Sequence, residues 1–456
     1  MDISVVILAA GQGIRMRSAL PKVLQLLAGR PLLEHVINTA ETLKPNKICV
    51  VYGHGGEQVQ EHFEGRAVEW VLQEPQLGTG HAVQQAMPQL SEGEVAVILC
   101  GDVPLVRPKT IASLASAAVD GPAILTVIET DPEGYGRIVR DPAGAVSAIV
   151  EHKDATEEQL RIAEVNTGLL ACPVKQLGPW LDALKSDNVQ GEYYLTDIVA
   201  SAVADGVTVT AVTGDSAIEV MGINDKLQLA IAERAYQKRA ATELMRSGVT
   251  LIDPARIDVR GTLTCGNDVT IDINAVFAGI VTLGNNVSIG PNCVISDTSI
   301  AADTIVHANC VLENAVVGER CNIGPFGRLR PGAEMKAQAR VGNFVEIKKT
   351  TLGIGSKANH LTYLGDATIG DNVNVGCGTI TCNYDGANKH QTVIGDNAFI
   401  GSGVELVAPV NIGAGATIGA GSTIGKDAPA GKLTLQRSKQ TTIKGWKRPE
   451  KNKQKQ

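Results

Sequence analysis

The run IGDNAFIGSGVELVAPVNIGAGATIGAGSTIG, residues 394–425, decides the fold of half the chain. Ile394, Ile400, Leu406, Ile412, Ile418 and Ile424 fall six apart without a slip, and most are followed by glycine. A hexapeptide period marks a parallel β-helix, in which one aliphatic residue of each hexad points inward. The residue after it is expected at a tight corner that tolerates glycine best. The beat recurs upstream in other phases: Leu283, Ile289 and Ile295; Ile323, Leu329, Met335, Val341 and Ile347; Ile369 and Val375. A glycine-rich loop region lacks such strict periodicity. One long break, GCGTITCNYDGANKHQTV (376–393), interrupts the beat with polar, turn-forming residues. A loop that leaves a regular solenoid is either tolerated decoration or functional.

Before about residue 225 the pattern differs. ISVVILAAG, KICVVYG, VAVILCGD and AILTVIE read as buried strands, and PLLEHVINTAETL and GHAVQQAMPQL as helices between them. That alternation predicts a mostly parallel α/β sheet. Residues 225–247 read as one helix, with Leu227, Ile231 and Ala235 in one row and Tyr236, Ala240 and Leu244 in another, and Gly248 as its C-terminal cap. The expected domains are 1–224, the helix at 225–248, and 249–456.

Bulk properties agree with this division. A chain of 456 residues exceeds one ordinary domain. Aromatics make up only 3% while glycines number 49, which suits a repetitive, thin-cored β architecture. A net charge of −7 gives no global footprint for nucleic acid. The basic end, KGWKRPEKNKQKQ (444–456), reads as a solvated tail rather than a binding arm. Nine cysteines, an odd number with no C-x-x-C pair, read as reduced thiols of a cytoplasmic protein. The N-terminal apolar run is short and lacks a basic leader, so it reads as a strand, and no stable membrane association is expected.

VVILAAGQGIRMRSALPKVL (5–24) carries the first chemistry. A buried strand ends in Gly11-Gln12-Gly13, and Arg15, Arg17 and Lys22 follow. Met16 stands where the dinucleotide fingerprint needs its third glycine, and no Gly-Lys-Ser/Thr follows as in a Walker A loop. Backbone N–H groups with adjacent cations remain a phosphate cradle.

LAAGQGIRMRSALPK (8–22) resembles the signature of the sugar-nucleotide pyrophosphorylases. With QLGTGHA, GDVPL, GYGRI, VEHKDA, NTG and the hexapeptide half, residues 5–449 resemble the bacterial bifunctional N-acetylglucosamine-1-phosphate uridylyltransferases/glucosamine-1-phosphate N-acetyltransferases. The resemblance implies a Rossmann-like nucleotidyltransferase domain, a long linker helix and a left-handed parallel β-helix that trimerises. It implies acetylation of glucosamine 1-phosphate by acetyl-CoA, then uridylyl transfer from UTP to N-acetylglucosamine 1-phosphate with Mg²⁺.

By that resemblance Leu8, Ala9, Ala10 and Gly11 hold uridine and phosphates, Arg15 and Lys22 are the triphosphate's cations, and Gln73, Gly78 and Thr79 read the uracil. Cys100, Gly101 and Asp102 follow a strand's C-terminal end. Asp102 and Asn224 match the metal ligands, and Gly136, Glu151 and Asn166 the sugar-binding positions. On the residues alone Asp102 is equally a turn residue, Glu151 sits in a charged, surface-like run, and His81 and His152 read as structural. Ile14 and Cys100 stand where the family often has Thr and Tyr, which predicts altered affinity rather than lost activity.

In the second half His360 matches the family's general base, and Arg330, Lys348, Tyr363 and Asn374 its substrate-binding positions. Glu346, two residues before Lys348, is expected to share its face and orient the base. Cys377, Asn383, Tyr384, Ser402, Ala420 and Arg437 match acetyl-CoA contacts. Cys377 commonly aligns with alanine, and the family transfers acetyl directly to the amine, so its thiol is not read as a nucleophile. Two other readings stay open: a monofunctional pyrophosphorylase whose β-helix only oligomerises, and a non-catalytic assembly protein. Retained His360, Arg330 and Lys348 speak against the first; Arg15, Lys22, Asp102 and Asn224 against the second.

Overall fold

The computed structural model describes residues 2–11, 13–53 and 56–449. Gln12 of the glycine-rich loop and the last residues of the basic tail lie outside them. The chain divides into two compact units, to Ala240 and from Ala241. No helix among the described residues is long and apolar enough to cross a membrane.

In the first unit the sheet runs Thr210–Thr213, Ala123–Ile128, Glu164–Pro173, Val95–Cys100, Ile3–Leu8, Lys47–Gly53, Glu69–Gln73. All neighbours on this path are parallel except Glu164–Pro173, which runs against both of its own. The strands are continuous apolar runs because both faces are covered. Val5 and Ile7 pack into one core with Val36 and Ile37 of the helix Leu32–Glu41 and Ile111 and Leu114 of Pro108–Ala117. Val6 packs into the opposite core with Ala82 and Val83 of Thr79–Ala86 and Leu177 of Val174–Asp182. Ile3–Leu8 is the strand from which the order runs both ways, and ligands of open α/β sheets sit at the carboxyl end of such a strand.

The long helix spans Lys226–Arg246, and the boundary between the two units falls inside it. Of the two rows named from the sequence, the second is partly packed: Tyr236 and Leu244 lie half-buried against hydrophobic clusters. The first is not, apart from Ala235: Leu227 is 71% exposed and Ile231 45%, while Ala232, Gln237 and Ala241 are the buried positions. The small Ala232 admits close approach, and a mostly polar helix carries little periodic signal to show which side does so. Gly248, at φ 101°, closes the helix as expected, its N–H reaching the Met245 carbonyl.

Among the described residues the second unit is a parallel coil of 24 short strands, most of them paired with the strand one coil on, as Val294–Ser296 with Val311–Glu313. Every hexad residue named above is buried. The phase shifts have a cause: some sides are five residues long. Ile295 to Ile300, Leu312 to Val317, Ile347 to Leu352 and Leu364 to Ile369 each join buried rungs five apart. Two residues after the first of each pair stand Asp297, Asn314, Lys349 and Asp366, all at φ 43–47°. Coils therefore advance seventeen residues there, as Val294 pairing with Val311 shows.

The glycine after each isoleucine is needed for a different reason from the one expected. The left-handed corner lies three residues after the aliphatic rung, at Asn397, Gly403, Gly415 and Gly421. Gly395, Gly401 and Gly413 have no positive φ; they lack room for a side chain. A Cβ on Gly401 would lie 2.5 Å from the Ala420 nitrogen of the next coil. Gly401→Ala is expected to destabilise the β-helix by about 1–3 kcal/mol, since the obstruction is backbone. Thermal denaturation checks this; an unchanged Tm would mean the coil spacing is soft.

Candidate active sites

The glycine-rich loop opens from the end of Ile3–Leu8 onto a cavity of about 410 Å³. Leu8, Ala9, Ala10, Gly11, Lys22, Gln73, Gly78, Thr79, Cys100 and Asp102 line it. All ten meet there, although 80 residues separate Lys22 from Asp102. Gly78, at φ 109°, is sterically required: a Cβ would lie 2.7 Å from the Tyr193 carbonyl oxygen. Gly101 stands against the Leu8 carbonyl, to which its N–H donates at 2.9 Å. Arg15 is exposed on the turn Ile14–Met16 and does not line the cavity. Two polar lining residues, beside the apolar Val23 and Ala82, escaped the sequence reading. Gln76 donates its side-chain amide to the Ala10 carbonyl, and Glu192 comes from a distant loop. Gln76 opens QLGTGHA, whose placement beside a glycine loop was the available signal.

At the cavity's charged end Lys22 Nζ pairs with the Asp102 carboxylate and lies 3.2 Å from Asn224 Oδ1. Asp102 is held from behind: its carbonyl accepts the Ile223 N–H at 2.9 Å. Asn224 is placed by Gln228, whose Oε1 accepts the Asn224 N–H at 2.7 Å. The ammonium marks a point where two oxygens converge on a cation. Oxygen donors on one carboxylate and one amide fit Mg²⁺, which takes few protein ligands and completes its shell with phosphate and water. Among the described residues no group of three or more His, Cys, Asp or Glu is arranged for a metal. The Cys100 thiol is pushed up to about 12 by burial and by the Asp102 charge, so it stays neutral and offers an apolar wall.

Gly136, Glu151 and Asn166 form a second cluster outside the cavity lining. Asn166 donates its N–H to the Gly136 carbonyl at 2.8 Å, and a Cβ on Gly136 would stand 3.5 Å from both Glu151 oxygens. Burial holds the Glu151 carboxyl above its ordinary range, although the Thr196 hydroxyl donates to it at 3.0 Å.

In the β-helix His360 and Asn343 occupy paired positions on adjacent strands, Arg340–Leu352 and Lys357–Ile369. Asn343 Oδ1 lies 2.8 Å from His360 Nδ1. Glu346, expected to orient the histidine, instead accepts from Arg330 Nη1 at 2.8 Å; Arg330 reaches across from the neighbouring coil, two residues beyond Arg328, which is Glu346's register partner there. Its strand partner is Tyr363. Lys348 and Lys389 stand together, and the neighbouring ammonium holds Lys348 below the usual lysine range. Lys389 escaped the sequence reading because it sits in the loop, where no period places it. Like charges held side by side, with Arg330 near, suit a dianionic phosphate.

The loop leaves after Ile380–Cys382 and returns at Thr392–Ile394. Tyr384 bridges to Lys389 across it, and Asn383 donates its side-chain amide to Asp366. Cys377, Ser402 and Ala420 stack on successive coils: the Cys377 carbonyl accepts from Gly403, the Ser402 carbonyl from Gly421. Arg437 closes the column, 3.7 Å from where a Cβ of Gly419 would stand. Asn374 is half-buried on the strand next to His360's.

Residues 5–187 match the family model of the MobA-like NTP transferase domain, and residues 391–426 that of the bacterial transferase hexapeptide, six repeats. The chain is 56% identical over 446 residues to the bifunctional protein GlmU of Azoarcus sp. (strain BH72), covering 98% of this chain and 99% of that one. It is 56% identical over 452 residues to that of Bordetella parapertussis (strain 12822), at 98% and 99% coverage. To that of Ralstonia pickettii (strain 12J) it is 55% identical over 451 residues, at 99% of both.

Proposed function

The chain belongs to the family of bifunctional GlmU proteins, and from that premise we propose how its residues divide two successive reactions of UDP-N-acetylglucosamine synthesis. The N-terminal half is a nucleotidyltransferase; the hexapeptide half is the acetyltransferase.

Acetylation comes first. The amine of glucosamine 1-phosphate attacks the acetyl carbonyl carbon of acetyl-CoA; the new C–N bond forms, the C–S bond breaks and the thiolate leaves. His360 takes the amine's proton. With Nδ1–H donated to Asn343 Oδ1, the lone pair on Nε2 is the one left to accept it. Arg330, Lys348 and Lys389 hold the sugar phosphate, with Tyr363 and Asn374 beside it. Asn383, Tyr384 and the column Cys377, Ser402, Ala420 and Arg437 take the coenzyme.

Uridylyl transfer follows. A phosphate oxygen of N-acetylglucosamine 1-phosphate attacks the α-phosphorus of UTP, and the bond to pyrophosphate breaks. Leu8 to Gly11 and Lys22 grip the triphosphate, Gln73, Gly78 and Thr79 the base, and Gly136, Glu151 and Asn166 the sugar. Arg15, exposed on its turn, reaches the phosphates from outside the cavity. Asp102 and Asn224 would hold Mg²⁺, which supplies charge neutralisation to the leaving pyrophosphate when bound; Lys22 then turns from Asp102 to phosphate.

The observation that carries this reading is the meeting of Lys22, Asp102 and Asn224 at the end of a nucleotide-sized cavity. The test is one preparation assayed twice: coenzyme A release from acetyl-CoA with glucosamine 1-phosphate, and pyrophosphate release from UTP with N-acetylglucosamine 1-phosphate and magnesium. Both are expected. Pyrophosphate alone would return the β-helix to a purely assembling role. We place the protein in the cytoplasm, where its free thiols suit a reducing medium. We propose a homotrimer; outward apolar side chains on the coil, among them Ile305, Val316 and the stacked pair Phe326 and Phe344, support it.

A further inference from the structure

We infer that His81 is a positioning residue for base selection: it fixes the Gln73 carboxamide so that the oxygen, and not the NH₂, faces the nucleotide. This rests on reading the cavity as the UTP site.

Gln73 ends the strand Glu69–Gln73, is 3% exposed and lines the cavity. Its Nε2 lies 2.9 Å from the Gly78 carbonyl oxygen and 3.2 Å from His81 Nδ1. A carboxamide NH₂ has two hydrogens, and these two acceptors use both. The Gln73 oxygen, by contrast, has no hydrogen-bond partner among the described residues, which leaves it for a ligand in the cavity.

The ring is held at its other edge. His81 Nε2 lies 3.1 Å from Gln85 Nε2, one turn on in the helix Thr79–Ala86. A neutral imidazole accepts at one nitrogen only, so one of the two amides must present its oxygen to the ring. The Gly78 carbonyl fixes the NH₂ of Gln73; Gln85 is therefore the amide that turns, and His81 Nε2–H donates to its oxygen. Gln85, His81, Gln73 and the base thus form one chain of donors and acceptors with a single direction. At its end stands an acceptor. Uracil presents N3–H to it; cytosine presents a lone pair at N3. The structure therefore gives a histidine that reads as structural in the sequence a part in telling UTP from CTP.

The test measures pyrophosphate release by the full-length chain with N-acetylglucosamine 1-phosphate and either UTP or CTP. Wild type is compared with His81→Leu, which removes the acceptor, and His81→Asn, whose amide oxygen takes roughly the place of Nδ1. In His81→Leu the UTP-over-CTP ratio of kcat/KM is expected to fall about tenfold or more. The KM for UTP should rise by more than kcat falls, and His81→Asn should restore most of the ratio. A ratio within about twofold of wild type in His81→Leu, or an equal loss for both nucleotides in both variants, would reduce His81 to packing. Should His81→Leu fail to fold, Gln85→Leu frees the far edge of the ring and is read on the same ratio: a fall supports the chain, no change breaks it. Wild type without pyrophosphate release from UTP would overturn the reading of the cavity, and this inference with it.

Discussion

His360→Ala is expected to lower coenzyme A release by about 10²–10⁴-fold, the range a positioned general base supplies, while pyrophosphate release stays at the wild-type level. Direction and selectivity both follow from position. His360 is exposed on the coil and packs into no core, so its truncation should move stability by about 0.5 kcal/mol or less. Loss of activity without loss of Tm would then be a chemical effect. Among the described residues its ring is hydrogen-bonded to Asn343, whose amide oxygen sets which nitrogen bears the proton. The uridylyl site is built from residues of the other unit, so the second assay is an internal control. Coenzyme A release that survives within about tenfold would place the base elsewhere and leave His360 as a surface residue.

Asp102→Asn is the complementary experiment, with the opposite selectivity: pyrophosphate release falls about 10²–10³-fold and coenzyme A release is untouched. The change conserves shape and removes one negative charge at a site where charge placement does most of the chemistry. It removes the anionic partner of Lys22 and the only carboxylate among the lining residues at that end of the cavity. Raising magnesium should recover part of the loss if the carboxylate acts through the metal. Full activity at ordinary magnesium would make the Lys22–Asp102 pair a structural strut.

How much of this was legible in the sequence depends on what carried the signal. The buried rungs were legible because one side chain in six must be apolar wherever the coil turns. The parallel sheet was legible because strands covered on both faces have no polar alternation. The Lys22–Asn224 contact spans 202 residues, and no spacing rule brings the two together; only likeness to a family pattern does. Asn343 was missed although it stands seventeen residues before His360. Its pairing depends on the five-residue side after Ile347, and an unbroken hexad count puts the partner one residue off. Glu346 was assigned to the wrong neighbour because a shared strand face looks only along one coil, whereas the cation that holds it, Arg330, comes from the coil before. The glycines were found in the right places for the wrong cause, since a period shows where a small residue recurs but not whether conformation or crowding demands it.

The 383–391 excursion has a consequence for inheritance. Asn374 pairs with Phe399, twenty-five residues on, and Ile380 with Glu405, yet the coils on either side stack as though nothing intervened. One residue lost from within a flat side turns the side chains that follow it out of phase, inside to outside, unless the corner closes in the five-residue form seen after Ile295 or Leu312. At this corner length is uncoupled from register, and lengthening an open loop costs only about 0.6 kcal/mol per doubling. Insertions and deletions that would be lethal one rung away can therefore accumulate here, so descendants of this chain can change what they bind without learning to fold again.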